Sequence, residues 1–490
     1  MSCPLPARRI FEPRLAAALL AAFLHASSAV QAEPPREGEC PAVNAGAGAD
    51  PQAQDSAALV LEPGMIVDKQ GMLLLKSLLP EEIWRHREVF FFEGMQMEIG
   101  PCHRRYARPG FYIEATRKHS GGVGLNGDDD LEGYVAGIPF PQGQIDPDDP
   151  QAAAKWAWNL EKRFRGAGHR GRFRITTIPN RAGGIHRFRG EFFVFQVRGR
   201  SDMASTGYRW EPGKDALWAV GGEFSHPFSA RGLAWRQFRV EKSQRKWREP
   251  DDVFVYVPSL RKMRRAGSPW VDGAFMPRYS VAGQTSSGGG IMIGDGGGAI
   301  SPAAGASTAV SEDARAGLTG LFLRPNGYRW RLRGETTVIA PLNAARDGYP
   351  IDPERNYGYS GLSVAHDTWD IRQAVVIEGA LRQNAETLRT LTIYVDYQTL
   401  QPLYWISRTS KRRLVEVGIL VHRYTSDRDP APHWPGGTPA YIFEPVAASF
   451  FDALAGRGGW LRESFELSSL PYDDSERRRM ITNHALQRGH

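Results

Sequence analysis

Cysteine is scarce in these 490 residues, with three in all, and neither a Cys-x-x-Cys nor a His-Glu-x-x-His spacing is present to hold zinc. The Gly-x-Ser-x-Gly elbow of many hydrolases is also missing. Beyond the first 32 residues no apolar run is long enough for a transmembrane helix, so any membrane contact is peripheral. No repeat of fixed period stands out. Acidic residues fall only slightly short of basic ones, for a formal charge of +7 that is dispersed along the chain. A nucleic-acid binder concentrates basic charge with stacking aromatics on one face, so nucleic acid is not an expected partner, whereas anionic lipid headgroups fit a mildly basic surface.

The N-terminus places the protein. Arg8, Arg9 and Arg14 precede the apolar run Leu15 to Leu24, and Val30-Gln31-Ala32 fits a small-residue cleavage site. Residues 1–32 are therefore expected to be a cleaved signal peptide and the mature protein to be periplasmic. Its removal takes away three arginines and one glutamate, lowering the formal charge from +7 to +5. It also removes Cys3 and leaves Cys40 and Cys102, which in an oxidising compartment either pair or stay as two free thiols. Pairing would contribute about 4 kcal/mol by closing a long loop. Residues 33–60, rich in Pro, Gly, Ala and Gln, read as a disordered leader. Residues 61–490 read as one large β domain containing a Gly/Ser-rich mobile loop at 283–309.

Strands dominate that domain. They are expected over 89–99, 191–197, 233–240, 253–257, 328–332, 373–379, 390–397, 403–407 and 414–424, with helices over 80–88, 150–164 and 474–487. Strands follow one another without alternating helices, which favours an antiparallel sheet. Phe192-Phe193-Val194-Phe195 and Ala374-Val375-Val376-Ile377 are apolar on both faces, so the sheet needs cover twice. The expected class is mainly β (α+β), either two packed sheets or one large curved antiparallel sheet closing around a few helices and a greasy ligand.

Motifs for chemistry fail on inspection. Gly122-Val123-Gly124-Leu125-Asn126-Gly127 matches GxGxxG, yet Asp128-Asp129-Asp130 follows where a pyrophosphate would be repelled. Asp128, Asp130, Glu132 and Gly133 begin like a calcium loop, but its twelfth position is Pro139. His366-Asp367 could join Ser286 or Ser287 in a triad only by recruiting a serine from the glycine tract, which holds a nucleophile badly. No catalytic residue, metal site or cofactor is assigned, and a non-enzyme is expected.

The most telling segment is Val253 to Ala266, VFVYVPSLRKMRRA. Alternation sends Val253, Val255 and Val257 to one face of a strand and Phe254 and Tyr256 to the other, and Pro258 ends it. Arg261, Lys262, Arg264 and Arg265 then return the chain to water. A second segment, Leu391 to Ser407, reads as two strands around a turn opened by Asp396, with Thr399 inside it and Pro402 entering the second strand. Both segments resemble the bacterial lipoprotein-sorting carriers of the LolA, LolB and LppX type, which hold acyl chains in a half-open β-barrel. The chain also resembles a larger Gram-negative periplasmic family of unknown function, in Gly137-Ile138-Pro139-Phe140-Pro141, Trp156 to Asn159, Val253 to Arg265, and Trp369 with Arg372 and Glu378.

That resemblance covers roughly residues 60–470 and selects the single curved sheet, a half-open LolA-like barrel. It implies a periplasmic binding or shuttle protein for a lipid, acyl chain or other hydrophobic cargo, working with an inner-membrane exporter or an outer-membrane partner. A hydrolase of lipid or envelope polymer is the alternative. The expected ligand-binding residues are Phe254 and Tyr256, lining an interior cavity with the valines packed outward, and Arg261, Arg264 and Arg265 at its rim.

Overall fold

The computed structural model describes residues 35–44, 58–178, 186–203, 216–247, 249, 251–258, 261–266, 322–345, 358, 363–382, 390–453 and 459–468. The chain divides into Met1–Pro35 and Arg36–His490, and the fold described is that of the second unit. The signal peptide, the 283–309 tract with Ser286 and Ser287, and the helix expected at 474–487 lie outside the described residues.

In chain order, β1 (Ala42–Asn44), β2 (Ala58–Val60) and β3 (Ile66–Val67) precede α1 (Glu81–Arg85), α2 (Arg87–Phe90), β4 (Met97–Cys102) and α3 (Gly110–His119). After the short β5 (Gly124–Leu125) and β6 (Leu131–Glu132) comes α4 (Ala152–Glu161). An antiparallel run follows: β7 (Gly168–Ile178), β8 (His186–Gln196), β9 (Ala216–His226), β10 (Ala234–Val240), α5 (Glu241–Arg245), β11 (Asp252–Val257) and β12 (Lys262–Ala266). The rest is β13 (Tyr328–Ala340), β14 (Thr368–Leu381), β15 (Thr390–Asp396), β16 (Pro402–Arg408), β17 (Leu414–Tyr424), β18 (Phe443–Asp452) and β19 (Gly459–Ser468).

One sheet takes in most of these strands. Its order is β12-β11-β10-β9-β8-β7-β19-β18-β17-β16-β15-β14-β4-β3, with β13 also on β14, and only the β4–β14 contact is parallel. Among the described residues the end strands β12 and β3 do not pair with each other, and the sheet curls as a half-barrel. This is the large curved antiparallel sheet expected from the sequence.

Register assigns the faces, because paired residues share one. On one face α4 lays Trp156, Ala157 and Leu160 against Val375, Ile377, Leu391 and Ile393. Through Phe450 and Ala448 the same face continues across β19 to Phe173, Phe192, Val220, Trp235, Val253 and Val255. The opposite face of β16–β18, with Ile406, Val417, Ile419 and Ala447, is covered by the segment bearing Met72, Leu75 and Leu78 and by α1 and α2. Two-sided strands thus receive two covers, as Phe192 and Phe193 illustrate by entering different clusters.

Several expectations need correction. The leader expected to be disordered is ordered where described: β1 pairs with β2, Gly38 N–H donates to Cys102 O, and Cys40 and Cys102 form a disulfide with Cα atoms 5.2 Å apart. The first part of the strand expected at 89–99 is helical in α2, and β4 starts only at Met97. On β11 the expected faces are reversed. Val253 and Val255 are fully buried, whereas Phe254 and Tyr256 are half-buried. Val255 pairs with Trp235, which claims the buried side, while the register neighbours of Phe254 are Arg236 and Arg265. Finally, Lys262 to Ala266 is strand β12, hydrogen-bonded to β11, and not an irregular exit. Cationic residues suit a terminal strand because they discourage further pairing.

A polar junction fixes the β14–β15 end. Arg372 Nε donates to Asp396 Oδ2 at 2.7 Å, and Asp396 Oδ1 accepts from Thr399 N–H at 2.6 Å and from its hydroxyl at 2.7 Å. Pro402 opens β16 opposite Val395. Beside this pair the Tyr106 hydroxyl donates to Asp370 Oδ2 at 2.7 Å. Burial dominates at Asp370 and pushes its carboxyl up to about 7, despite the opposing charge of Arg372 and the Tyr106 bond.

Two outcomes follow from this packing. Phe192→Ala should cost about 3–5 kcal/mol in denaturant unfolding, while Phe254→Ala should cost about 1 kcal/mol, and equal costs would contradict the faces assigned here. Between about pH 4 and 7 the folded protein keeps a proton on Asp370 that the unfolded chain releases, so this group's contribution to stability falls as pH rises. Asp370→Asn should flatten that fall when urea midpoints are compared at pH 4.5 and 7.5.

Candidate functional site: the aromatic face of β7–β11

Between β8 and β11 the α4 face is built from rings. Phe173 meets Phe224 at 5.4 Å and Trp235 at 6.1 Å between centroids, and Phe224 meets Trp235 at 5.6 Å. Trp235 lies over Gly222, where a Cβ would come within 2.4 Å of the indole, so only glycine lets the ring lie flat on β9. Four register steps along, Trp218 stacks on Phe322 at 4.1 Å. Guanidinium groups cap that pair from both sides, Arg239 over Trp218 and Arg165 over Phe322, each at 4.6 Å.

A buried charge lattice holds this stack against α4. Asp251 accepts from Arg239 Nη2 at 3.2 Å and from Gln237 Nε2 at 2.7 Å, and it pairs with Arg324. Arg239 also donates to Leu323 O at 2.8 Å and lies 3.5 Å from Glu161, the last residue of α4. Glu161 in turn accepts from Leu323 N–H at 2.7 Å. Burial alone would raise Asp251, but Arg239 and Arg324 outweigh it and hold the carboxyl below its usual range. On the α4 face of β7, burial pushes His169 down to about 3, with the charges of Arg165 and Arg163 adding to the effect, so the imidazole is neutral.

Two indoles of this face stand out among the described residues. Trp218 and Trp235 are almost fully buried, and neither indole N–H has an acceptor among the described residues. A buried donor without a partner costs about 1–3 kcal/mol, and such groups are rare. Apolar surface with two spare donors is chemically suited to a molecule that is mostly hydrocarbon and carries acceptor oxygens.

The residues expected to bind from sequence are distributed differently. Phe254 and Tyr256 lie on the opposite face from Trp235, with Phe254 6.4 Å from Phe238. Arg261 is exposed in the turn between β11 and β12, with a positive φ of 47°. Arg264 and Arg265 take consecutive positions on β12, opposite Val255 and Phe254 in register. The glycine motif is a hairpin, β5 with β6, and not a strand-to-helix turn. Asn126 Oδ1 there accepts from the N–H groups of Asp128 and Asp130. His366 Nδ1 accepts from Gln96 N–H. Sequence reasoning missed Trp218, Trp235, Arg239 and Asp251. The Gly221-Gly222 pair was the one local signal that large groups cross this strand.

Residues 68–280 match the family described as protein of unknown function DUF1329. This bears out the resemblance to a family of unknown function, and the DUF1329 match contains α4, β7–β12, Trp218 and Trp235. No curated protein matches the chain. Among solved structures, a DUF1329 family protein from Desulfovibrio piger is 14% identical, with a TM-score of 0.40 over 70% of this chain and 99% of that one. A protein domain from Vibrio parahaemolyticus described as outer membrane lipoprotein-sorting is 11% identical, with a TM-score of 0.38 over 69% and 100%. A LolA superfamily protein from Nitrosomonas europaea is 14% identical, with a TM-score of 0.31 over 69% and 98%.

Proposed function

We propose that this protein binds a lipid, acyl chain or comparable hydrophobic molecule on the α4 face of β8–β11 and carries it through the periplasm. The observation that carries this reading is the pair of buried indole donors of Trp218 and Trp235, unpartnered among the described residues, within an aromatic cluster. Because these residues are buried, hydrocarbon would enter by parting what covers Phe173, Phe192, Phe224 and the valines of β11, and acceptor oxygens would take the two N–H groups. On this face burial, with Arg165 and Arg163, lowers His169 to about 3, which makes its imidazole a weak base. Handover to or from an envelope exporter or an outer-membrane partner completes the shuttle, with residues 1–32 directing export.

Gentle purification from periplasmic extract followed by mass spectrometry should find acyl lipid at near-stoichiometric yield. With delipidated protein, Trp218→Phe and Trp235→Phe keep the rings but remove the donors, and each should weaken fatty-acid binding about fivefold, the worth of one net hydrogen bond. Wild-type protein that neither co-purifies with lipid nor takes up fatty acid would overturn the proposal.

A further inference from the structure

The β7–β12 run is electrically lopsided from end to end. Antiparallel pairing gathers the β7–β8, β9–β10 and β11–β12 connections at one end of the sheet. The register of Arg189 opposite His226, and the closeness of Gly232 to Pro258 (3.2 Å from a Cβ position), make neighbours of them. Across 176–190, 224–240 and 253–266 the sequence contains no Asp or Glu. Connections at the other end carry Asp202, Glu241 and Glu249, each paired with a cation of the same connections: Arg200 with Asp202, Arg198 and Arg245 with Glu241, and Lys242 with Glu249.

At the basic end the turn after β9 presents Phe228, 86% exposed, the most exposed large apolar residue described. Arg187, Arg189, Arg231 and Arg261 around it are exposed, and none forms an ion pair with a described residue. Glu191 and Glu223 stand further in, opposite each other in register. A phenylalanine so exposed at a turn tip gains little burial among the described residues.

We infer that this end of the sheet docks on an anionic lipid bilayer, with Phe228 entering the interface and the four arginines contacting lipid phosphates. A protruding ring among exposed cations suits a fluid, uniformly charged surface better than a protein partner, which would need a complementary pocket for the ring. The inference does not depend on what the aromatic face binds.

Vesicle sedimentation with the intact mature protein provides the test. Vesicles of phosphatidylglycerol and phosphatidylcholine should retain the protein, and pure phosphatidylcholine should not. Replacing Arg231 and Arg261 together with Gln should weaken partitioning about 25-fold, at about fivefold per arginine, and raising salt to about 0.5 M should erase that difference. Phe228→Ala should cost about tenfold at either salt. Lys246→Gln, at the other end of the sheet, should change nothing. Thermal melts of each variant would check that folding is intact. Equal retention on neutral and anionic vesicles, or variants that partition like wild type, would overturn the inference. So would binding to an acidic polypeptide without binding to vesicles.

Discussion

A strand sends successive side chains to opposite faces, and in this chain both sets are apolar over β8 and over much of β14–β18, so neither face of the sheet can be left to water. The architecture follows from that constraint. One helix, α4, and the stretch around Leu323 cover one face, while the N-terminal segment with α1 and α2 covers the other. The disulfide between Cys40 and Cys102 ties the start of that second cover to β4. Over β7–β11 the α4 face is instead faced with aromatic rings, pinned to the end of α4 by the Asp251, Arg239 and Glu161 lattice. Such a buried lattice specifies geometry more than it adds stability, because desolvating the charges offsets much of their attraction. It sets the distance between the stack of Trp218 and the helix that faces it.

The two faces of β7–β10 differ in kind. On the α4 face lie Phe173, Val220 and Trp235; on the other lie Arg170, Arg172 and Arg236, interleaved with Phe193 and Phe195. Arg236 lies 4.9 Å over Phe193, and burial pushes its guanidinium down to about 10. The α4 face of this region is thus apolar, while the opposite face sets arginines among phenylalanines.

Much of the fold could be read from local sequence alone. β8, β14, β15 and β16 were legible because their short apolar runs, such as Phe192 to Phe195, are rich in aromatic and β-branched residues that suit strands. β7 was not, since Arg170, Arg172 and Arg174 dilute a pattern whose apolar members are Phe173, Ile175 and Ile178. β9 escaped for a related reason, as Gly221 and Gly222 interrupt it to admit rings from its neighbours. One strand cannot reveal which of its faces is buried. For Val253 to Val257 that depended on pairing with Trp235, a long-range fact absent from the segment itself. Trp218 and Trp235 carry no spacing motif and share a face only because the β9–β10 hairpin sets their register.

The two indole N–H groups are also the most direct reporters of the central claim that this face is a binding surface. Their Nε1–H resonances can be followed by nitrogen-15 correlation spectroscopy of delipidated protein, assigned with the single Trp→Phe variants, while a long-chain fatty acid is titrated in. The account predicts saturable downfield shifts of both the Trp218 and Trp235 signals as acceptor oxygens engage them. Signals that stay in place while fatty acid binds elsewhere, or that never respond at any ratio, would contradict it.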